Sequence, residues 1–228
     1  MSSITANLQA VKQRVEAAVR AAGRPAQAVQ VVAVSKTFGP EAVREAAGAG
    51  QRDFGENYVT EGVDKMSELR ALGLTWHYIG PVQSNKTRLI AEHFDWVHTI
   101  DREKVASRLS QARGPAQKEL QVCIQVNVSG ESSKSGAAPN EIASLARKVS
   151  GFPRLKLRGL MAIPEPTTDV ALQRRRFAQL RALRDDLNRE GLALDTLSMG
   201  MSADLEAAIA EGATIVRVGT AIFGDRKS

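Results

Sequence analysis

Cysteine is almost absent from this 228-residue sequence, which contains only Cys123. A single cysteine cannot form a disulfide within the chain, so the fold must be stabilised by burial of apolar groups. Cys123 lies within the apolar run 120–128, which favours a buried, unreactive thiol. The three histidines show no spacing typical of a metal site, and we expect no bound metal.

Long hydrophobic runs are also missing. No stretch of about 18 apolar residues occurs, and the N-terminus lacks the basic segment followed by an apolar run that export requires. We therefore expect a cytoplasmic protein without a membrane partner. Aromatic residues make up only 4% of the chain and do not alternate with basic ones, so the net charge of +6 does not predict a nucleic-acid partner.

Short apolar runs rich in β-branched residues recur along the chain and alternate with helix-like segments. The runs are 31–35, 52–56, 76–79, 96–100, 120–128, 157–163, 196–201 and 214–219. The helix-like segments are 41–49, 58–71, 85–92, 103–112, 141–150, 171–190 and 203–211. Eight such units predict an α/β fold with parallel strands, most simply a single (β/α)8 TIM barrel.

The whole chain, residues 1–228, is predicted to form one domain, because no linker or repeat divides it. An extra N-terminal helix, with Ile4, Leu8, Val11 and Val15 at helical spacing, is expected to cover the bottom or the side of the barrel. An open doubly wound sheet is the alternative, although no glycine fingerprint follows the first strand. The loop 129–139, which contains Lys134, is expected on the face that binds ligands.

Barrels of this type bind ligands at the carboxyl ends of their strands, where this sequence places polar residues. Lys36 ends the first run and shares a strand face with residues 32 and 34, while Arg217 lies in the eighth run. Closure makes the first and eighth strands neighbours, so both cations are expected to face one cavity. Desolvation and the second cation would favour a neutral Lys36 amine able to form an imine. The alternative is an ordinary surface lysine.

Small residues follow the seventh and eighth strands, where barrels most often bind phosphate through backbone N–H groups. They are Gly200, Ser202, Gly219 and Thr220, and ordinary turn chemistry is the alternative interpretation. An imine-forming lysine, a phosphate cradle and an arginine together suit an aldehyde that carries a phosphate. Pyridoxal 5′-phosphate (PLP) is the obvious candidate.

Five ordered motifs resemble the pyridoxal phosphate homeostasis protein family. They are VSK at 34–36, FGEN at 54–57, WHYIG at 76–80 with QSNK at 83–86, LSMGMS at 197–202, and RVGTAIFG at 217–224. The resemblance covers nearly the whole chain. It implies a fold like the barrel domain of alanine racemase and a role in holding and delivering PLP in vitamin B6 homeostasis, without catalytic turnover.

The same resemblance assigns roles to individual residues. It implies that Lys36 forms the internal aldimine with PLP and that Arg217 lies against the pyridine nitrogen. The remaining predicted cofactor-binding residues grip the phosphate (Ser202, Gly219 and Thr220) or line the ring (Asn57 and Met199). The family commonly has a second lysine where this chain has Phe38. The expected partners are PLP and PLP-dependent apo-enzymes that receive it, with the protein itself a monomer.

Two other functions use a similar lysine. An amino-acid racemase needs a second acid/base opposite the cofactor. Alanine racemase takes that residue, a tyrosine, from a second domain, which is not expected here because the sequence stops at Ser228. Tyr58 and Tyr78 near strand ends remain possible substitutes. A cofactor-free Schiff-base aldolase is the third candidate, although its lysine usually lies on a later strand.

Four other ionisable residues near the strands are not assigned to the site. His77 is expected to be a hydrogen-bonded structural residue. Glu56, Asp101 and Glu165 are expected to form ion pairs with lysine or arginine rather than act as acids or bases.

Overall fold

The computed structural model describes residues 3–131 and 135–225. Its eight strands are β1 (Gln30–Val34), β2 (Asp53–Glu56), β3 (Thr75–Tyr78), β4 (Trp96–Ile100), β5 (Leu120–Gln125), β6 (Leu155–Met161), β7 (Thr196–Ser198) and β8 (Ile215–Val218). All neighbouring strands are parallel, and β1 pairs with β8 to close the barrel. The predicted barrel is confirmed, and the open doubly wound sheet is excluded.

Helices connect the strands. They are α1 (Ile4–Ala21), α2 (Pro40–Gly48), α3 (Val59–Glu68), α4 (Thr87–His93), α5 (Glu103–Ala112), α6 (Ile142–Ser150), α7 (Val170–Arg189), α8 (Leu205–Ala210) and α9 (Thr220–Phe223). Short 3-10 helices occupy Arg70–Leu72 and Pro139–Glu141. Helix α9 was missed by sequence reasoning because four residues are too few to show a helical period. In the described part of the chain, no helix is long and apolar enough to cross a membrane.

Helix α1 lies on the side of the barrel, which is one of the two positions expected for it. Its buried face consists of Leu8, Val11, Val15 and Val19. Asn7 donates from Nδ2 to the carbonyl of Ile222 in α9 at 3.0 Å, and Arg14 pairs with Glu206 in α8 at 2.7 Å. These contacts hold α1 against α8 and α9, the last two helices of the chain.

The side chains of each strand alternate between the helix layer and the barrel lumen. Outward-facing residues such as Ala33, Phe54 and Leu197 belong to the main hydrophobic core. Cys123 is fully buried, as predicted, and desolvation raises its pKa to about 12. The lumen holds unusual polar side chains for a barrel of this type, which normally fills it with branched aliphatic residues. They are His77, His98, Ser198 and Arg217, all buried.

Candidate ligand site at the carboxyl ends of the strands

Lys36 lies half-buried in the turn that follows β1. Both of its neighbours are fixed by hydrogen bonds. The Ser35 hydroxyl donates to Glu56 Oε1 at 2.6 Å, and the Thr37 backbone N–H donates to Glu61 Oε1 at 2.8 Å. Thr37 has a φ of 68°, a left-handed conformation that a β-branched residue adopts only under strong constraint. The backbone that carries the Lys36 side chain is therefore held in one position.

A buried lysine beneath this turn provides the constraint. Lys65 of α3 is 4% exposed and donates from Nζ to the Ser35 carbonyl at 2.9 Å, to Glu56 Oε1 at 2.7 Å and to Glu61 Oε1 at 3.0 Å. Burial raises the pKa of Glu56, and Lys65 opposes that rise. The predicted ion pair of Glu56 is confirmed. Lys65 itself was missed, because a lysine inside a helical segment gives no sequence signal of burial.

Arg217 lies on β8, is 3% exposed, and its side chain reaches β7 and the end of β6. Its Nη1 donates to Ser198 Oγ at 2.6 Å and its Nη2 donates to the Ala162 carbonyl at 3.0 Å. Desolvation lowers the Arg217 pKa to about 10, with Asp204 opposing the shift, so the guanidinium stays charged at neutral pH. These two bonds to described residues use two of its five N–H donors.

The depths of Lys36 and Arg217 in the barrel differ. Arg217 pairs in register with Val32 of β1, four residues before Lys36. At about 3.3 Å per residue this offset is roughly 13 Å along the strand. Lys36 therefore lies at the mouth of the barrel and Arg217 deeper in its lumen, rather than side by side as two adjacent cations.

The predicted phosphate-binding residues lie at the ends of β7 and β8. Gly200 has a φ of 93°, and a Cβ there would lie 2.6 Å from the Ala208 side chain, so this turn requires glycine. Ser202 follows it and is half-buried. Gly219 lies against Val34 of β1, where a Cβ would be 3.4 Å from the Val34 carbonyl oxygen. Thr220 begins α9, whose first N–H groups have no acceptor within the helix.

The two residues predicted to line the ring lie in different environments. The Oδ1 atom of Asn57, just after β2, is buried and has no hydrogen-bond partner among residues 3–131 and 135–225. The Met199 side chain is fully buried in the main hydrophobic core together with Leu197. Strand alternation turns Ser198, not Met199, into the lumen. The ring-lining roles of Asn57 and Met199 stay predictions.

Phe38 stands where the family commonly has a second lysine, and it connects two parts of the site. Its ring stacks on that of Phe223 in α9, with centroids 5.2 Å apart and an interplanar angle of 29°. The turn that carries Lys36 is thereby packed against the helix that follows Gly219. Lys134 of the 129–139 loop lies outside the described residues.

Glu165 and Asp101, which the sequence analysis predicted to form ion pairs, do so. Glu165 pairs with Arg176 at 2.7 Å, and this bond holds the Glu165 pKa at about 2. Asp101 pairs with the adjacent Arg102 at 2.7 Å. His77 is hydrogen-bonded in the lumen, as expected, to His98 Nε2 at 2.9 Å.

Two lumen residues next to Arg217 were missed by sequence reasoning. His98 Nδ1 lies 2.7 Å from Ser198 Oγ, which in turn accepts from Arg217. The available signal was strand parity. Both residues occupy inward positions of their strands, where a buried polar side chain needs a hydrogen-bond partner.

A closed parallel barrel with a lysine after its first strand and a buried arginine on its last defines the class of this protein. The family model described as "Alanine racemase, N-terminal domain" matches residues 6–227. Alanine racemase from Corynebacterium glutamicum shares the fold, with a TM-score of 0.67 at 16% identity over 95% of this chain and 60% of that one.

Similarity to named relatives is much higher. The pyridoxal phosphate homeostasis protein of Pseudomonas aeruginosa is 59% identical over 99% of this chain and 97% of its own length. The corresponding protein of Escherichia coli K12 is 50% identical over 99% of this chain and 98% of its own. PipY of Synechococcus elongatus, solved with PLP bound, is 39% identical with a TM-score of 0.81, covering 93% of this chain and 100% of that one. The chain belongs to the pyridoxal phosphate homeostasis protein family.

Proposed function

We propose that this protein binds PLP at the mouth of its barrel, covalently through Lys36, and holds the cofactor for intracellular homeostasis without catalytic turnover. The placement of Lys36 carries this proposal. A lysine held rigidly at the mouth, above a buried guanidinium with spare donors, suits a flat ring that bears an aldehyde at one end and a nitrogen acceptor at the other. The names of the relatives and the PLP bound to PipY support the same ligand.

Six of the seven predicted cofactor-binding residues, all except the core residue Met199, have a chemical task in this proposal. Lys36 would hold PLP covalently, because condensation of its amine with the aldehyde would form a C=N bond and release one water. Arg217 donates to the ring nitrogen. Ser202 and the N–H groups of Gly219 and Thr220 bind the phosphate through charge-assisted hydrogen bonds. Asn57 Oδ1, which has no hydrogen-bond partner among the described residues, would offer an acceptor to the ring.

We propose that the whole of residues 1–228 acts as one PLP-binding unit, cytoplasmic and monomeric. PLP-dependent apo-enzymes are the proposed recipients of the cofactor. PLP supplies an aldehyde and a ring that can withdraw electrons from a bound amino acid. The residues that surround the ring determine how strongly it withdraws these electrons.

Holding is favoured over racemisation by Arg217 and by the two tyrosines. Arginine can only donate, so a ring nitrogen in contact with Arg217 stays unprotonated and withdraws electrons weakly. The Tyr78 hydroxyl donates to the carbonyls of Asn57 and Pro81, at 3.2 and 3.1 Å. Burial raises its pKa to about 12. The Tyr58 side chain is 54% exposed and lies largely in solvent.

The covalent assignment is tested by borohydride reduction followed by intact mass and peptide mapping. We expect one added reduced-PLP mass, on Lys36, and none in Lys36→Ala. Lys86→Ala, which removes another half-buried lysine near the barrel mouth, is the matched control and should label like the wild type. A label on a different lysine would overturn the assignment.

Visible absorption of the purified protein separates PLP binding from a cofactor-free aldolase.

The carrier role is tested by exchange of the alanine α-hydrogen in deuterated water. We expect no exchange at an enzyme-like rate, which would be of order 1 per second or faster. Exchange at such a rate by the PLP-loaded protein would replace the carrier interpretation with racemase chemistry.

A further inference from the structure

A continuous row of polar side chains runs through the barrel lumen from Arg217 to the opposite end of the barrel. Ser198 Oγ lies 2.6 Å from Arg217 Nη1 and 2.7 Å from His98 Nδ1. His98 Nε2 lies 2.9 Å from His77 Nδ1, and His77 Nε2 lies 3.1 Å from Asp53 Oδ1. Each distance is within normal hydrogen-bonding range. The row joins residues of β8, β7, β4, β3 and β2.

The two ends of the row fix its direction. Arginine has only donors and an ionised carboxylate only acceptors, so Arg217 must donate and Asp53 must accept. Ser198 then accepts from Arg217 and donates its one proton to His98 Nδ1. His98 donates from Nε2 to His77 Nδ1, and His77 donates from Nε2 to Asp53. When both imidazoles are neutral, each of the four hydrogen bonds in the row therefore contains one proton.

An additional proton would break this arrangement. If His77 carried protons on both nitrogens, His98 would have to accept at Nε2 and donate from Nδ1 to Ser198 Oγ. The Ser198 oxygen would then accept from both sides, and its own proton would have no acceptor within the row, which is costly in a buried site. Burial and the nearby His77 and Arg217 also lower the His98 pKa well below its ordinary value.

We infer that Ser198, His98, His77 and Asp53 are positioning residues that form a one-directional hydrogen-bond chain and hold the Arg217 guanidinium in place for the ring nitrogen of the ligand. The ligand part of this inference rests on the proposed function. The Ser198 proton is committed to His98, so Ser198 presents only acceptor lone pairs to Arg217. Together with the Ala162 carbonyl, it fixes both Nη atoms of Arg217, and no carboxylate of residues 3–131 or 135–225 contacts them.

Asp53 is the last residue of the hydrogen-bond chain, and it lies near solvent. It is the first residue of β2, at the amino end of the barrel, and its side chain is 19% exposed. Three residues, Ser198, His98 and His77, therefore separate the negative charge of Asp53 from the positive charge of Arg217. Within the described part of the chain, Arg217 therefore forms no direct ion pair with a carboxylate, and its charge can interact with the ligand.

The direction of the chain is tested in the ligand-free protein by nitrogen NMR of ¹⁵N-labelled histidines. We expect His77 and His98 to be neutral at pH 7 with the proton on Nε2. His93 is the internal control. Its Nδ1 lies 3.0 Å from the Leu89 carbonyl on an exposed helix face, so its Nδ1 must carry the proton. Single substitutions, including His93→Gln, assign the signals. An imidazolium or an Nδ1 proton at position 77 or 98 would overturn the inference, and this measurement needs no ligand.

The positioning role is tested with two ligands, PLP and the analogue in which a C–H group replaces the ring nitrogen. The ratio of their dissociation constants reports only the contact to that nitrogen. We expect Ser198→Ala to reduce the preference for PLP about tenfold, since a charge-assisted hydrogen bond is misaligned. His98→Gln, which keeps one donor and one acceptor, should recover part of the preference, whereas His98→Phe should not.

Ser110→Ala is the matched control, because it removes an equally buried hydroxyl that donates to the Pro153 carbonyl in the helix layer, at 2.6 Å. It should leave the ratio unchanged. If the wild-type protein binds PLP but Ser198→Ala keeps the wild-type ratio, the positioning role is wrong. If the wild type binds no PLP, the proposed function fails, and the NMR result still decides the direction of the chain.

Discussion

Lys65 and Arg217 are two buried cations at the candidate site, and the groups that contact them differ in charge. Lys65, under the turn that carries Lys36, contacts two carboxylates, Glu56 and Glu61, at 2.7 and 3.0 Å. Among residues 3–131 and 135–225, Arg217 donates only to neutral acceptors, the Ser198 hydroxyl and the Ala162 carbonyl. The charge of Lys65 is neutralised by the protein itself, which is typical of a structural ion pair. The charge of Arg217 remains available to a ligand, which is typical of a binding residue.

Removal of Lys65 should have the largest effect. Lys65→Met leaves Glu56 buried without its cation, and we expect the free energy of unfolding to fall by about 3–5 kcal/mol. Denaturant titration of the ligand-free protein measures it. Lys148→Met, which removes an exposed ion pair with Glu103, is the control and should cost at most about 1 kcal/mol. The double variant Lys65→Met/Glu56→Leu should regain much of the loss. A loss within the range of the control would mean that Lys65 does not constrain the turn.

Loss of the ligand's phosphate should have the next largest effect, because the proposed site at Ser202, Gly219 and Thr220 provides several charge-assisted hydrogen bonds. We expect pyridoxal to bind at least about 100-fold more weakly than PLP. Competition binding compares the two vitamers. Ser202→Ala should reduce the ratio of the PLP affinity to the pyridoxal affinity. Ser150→Ala, which removes an exposed hydroxyl that donates to the Arg147 carbonyl, should leave this ratio unchanged. Equal affinities would remove the phosphate assignment from this end of the barrel.

Substitution of Arg217 should affect binding more than stability. Arg217→Met removes a buried charge that no carboxylate of the described residues contacts. The free energy of unfolding of the ligand-free protein should therefore fall by less than half as much as in Lys65→Met. PLP affinity should fall about 10- to 100-fold, the range for a hydrogen bond to a charged group. Unfolding and binding are measured on the same preparation. A stability loss equal to that of Lys65→Met, with PLP affinity unchanged, would reverse the roles assigned to the two cations.

Much of the fold was predictable because strand and helix periods are local properties. The runs at 31–35 and 96–100 correspond to β1 and β4 almost residue for residue. The run 196–201 was too long, since β7 ends at Ser198, where Gly200 turns the chain with a φ of 93°. An apolar run does not show where a strand ends when the residues that follow it are buried for other reasons, as Met199 is.

The candidate site was predictable in part. Lys36 and Arg217 could be placed on neighbouring strands because closure of eight parallel strands makes the first and last adjacent. Their difference in depth depends on the register of β1 against β8, which pairs Val32 with Arg217. Register is set by the stagger of the whole barrel, and no local pattern encodes it.

The sequence by itself determined the order of the elements, the parity that turns Arg217 inward, and the lysine at the end of the first strand. These follow from residue spacing within single segments. Only the tertiary structure decided which polar groups meet: Lys65 with the Ser35 carbonyl 30 residues away, and His98 with Ser198 100 residues away. Contacts across a closed lumen depend on stagger and tilt together, because each inward side chain can reach residues on several strands.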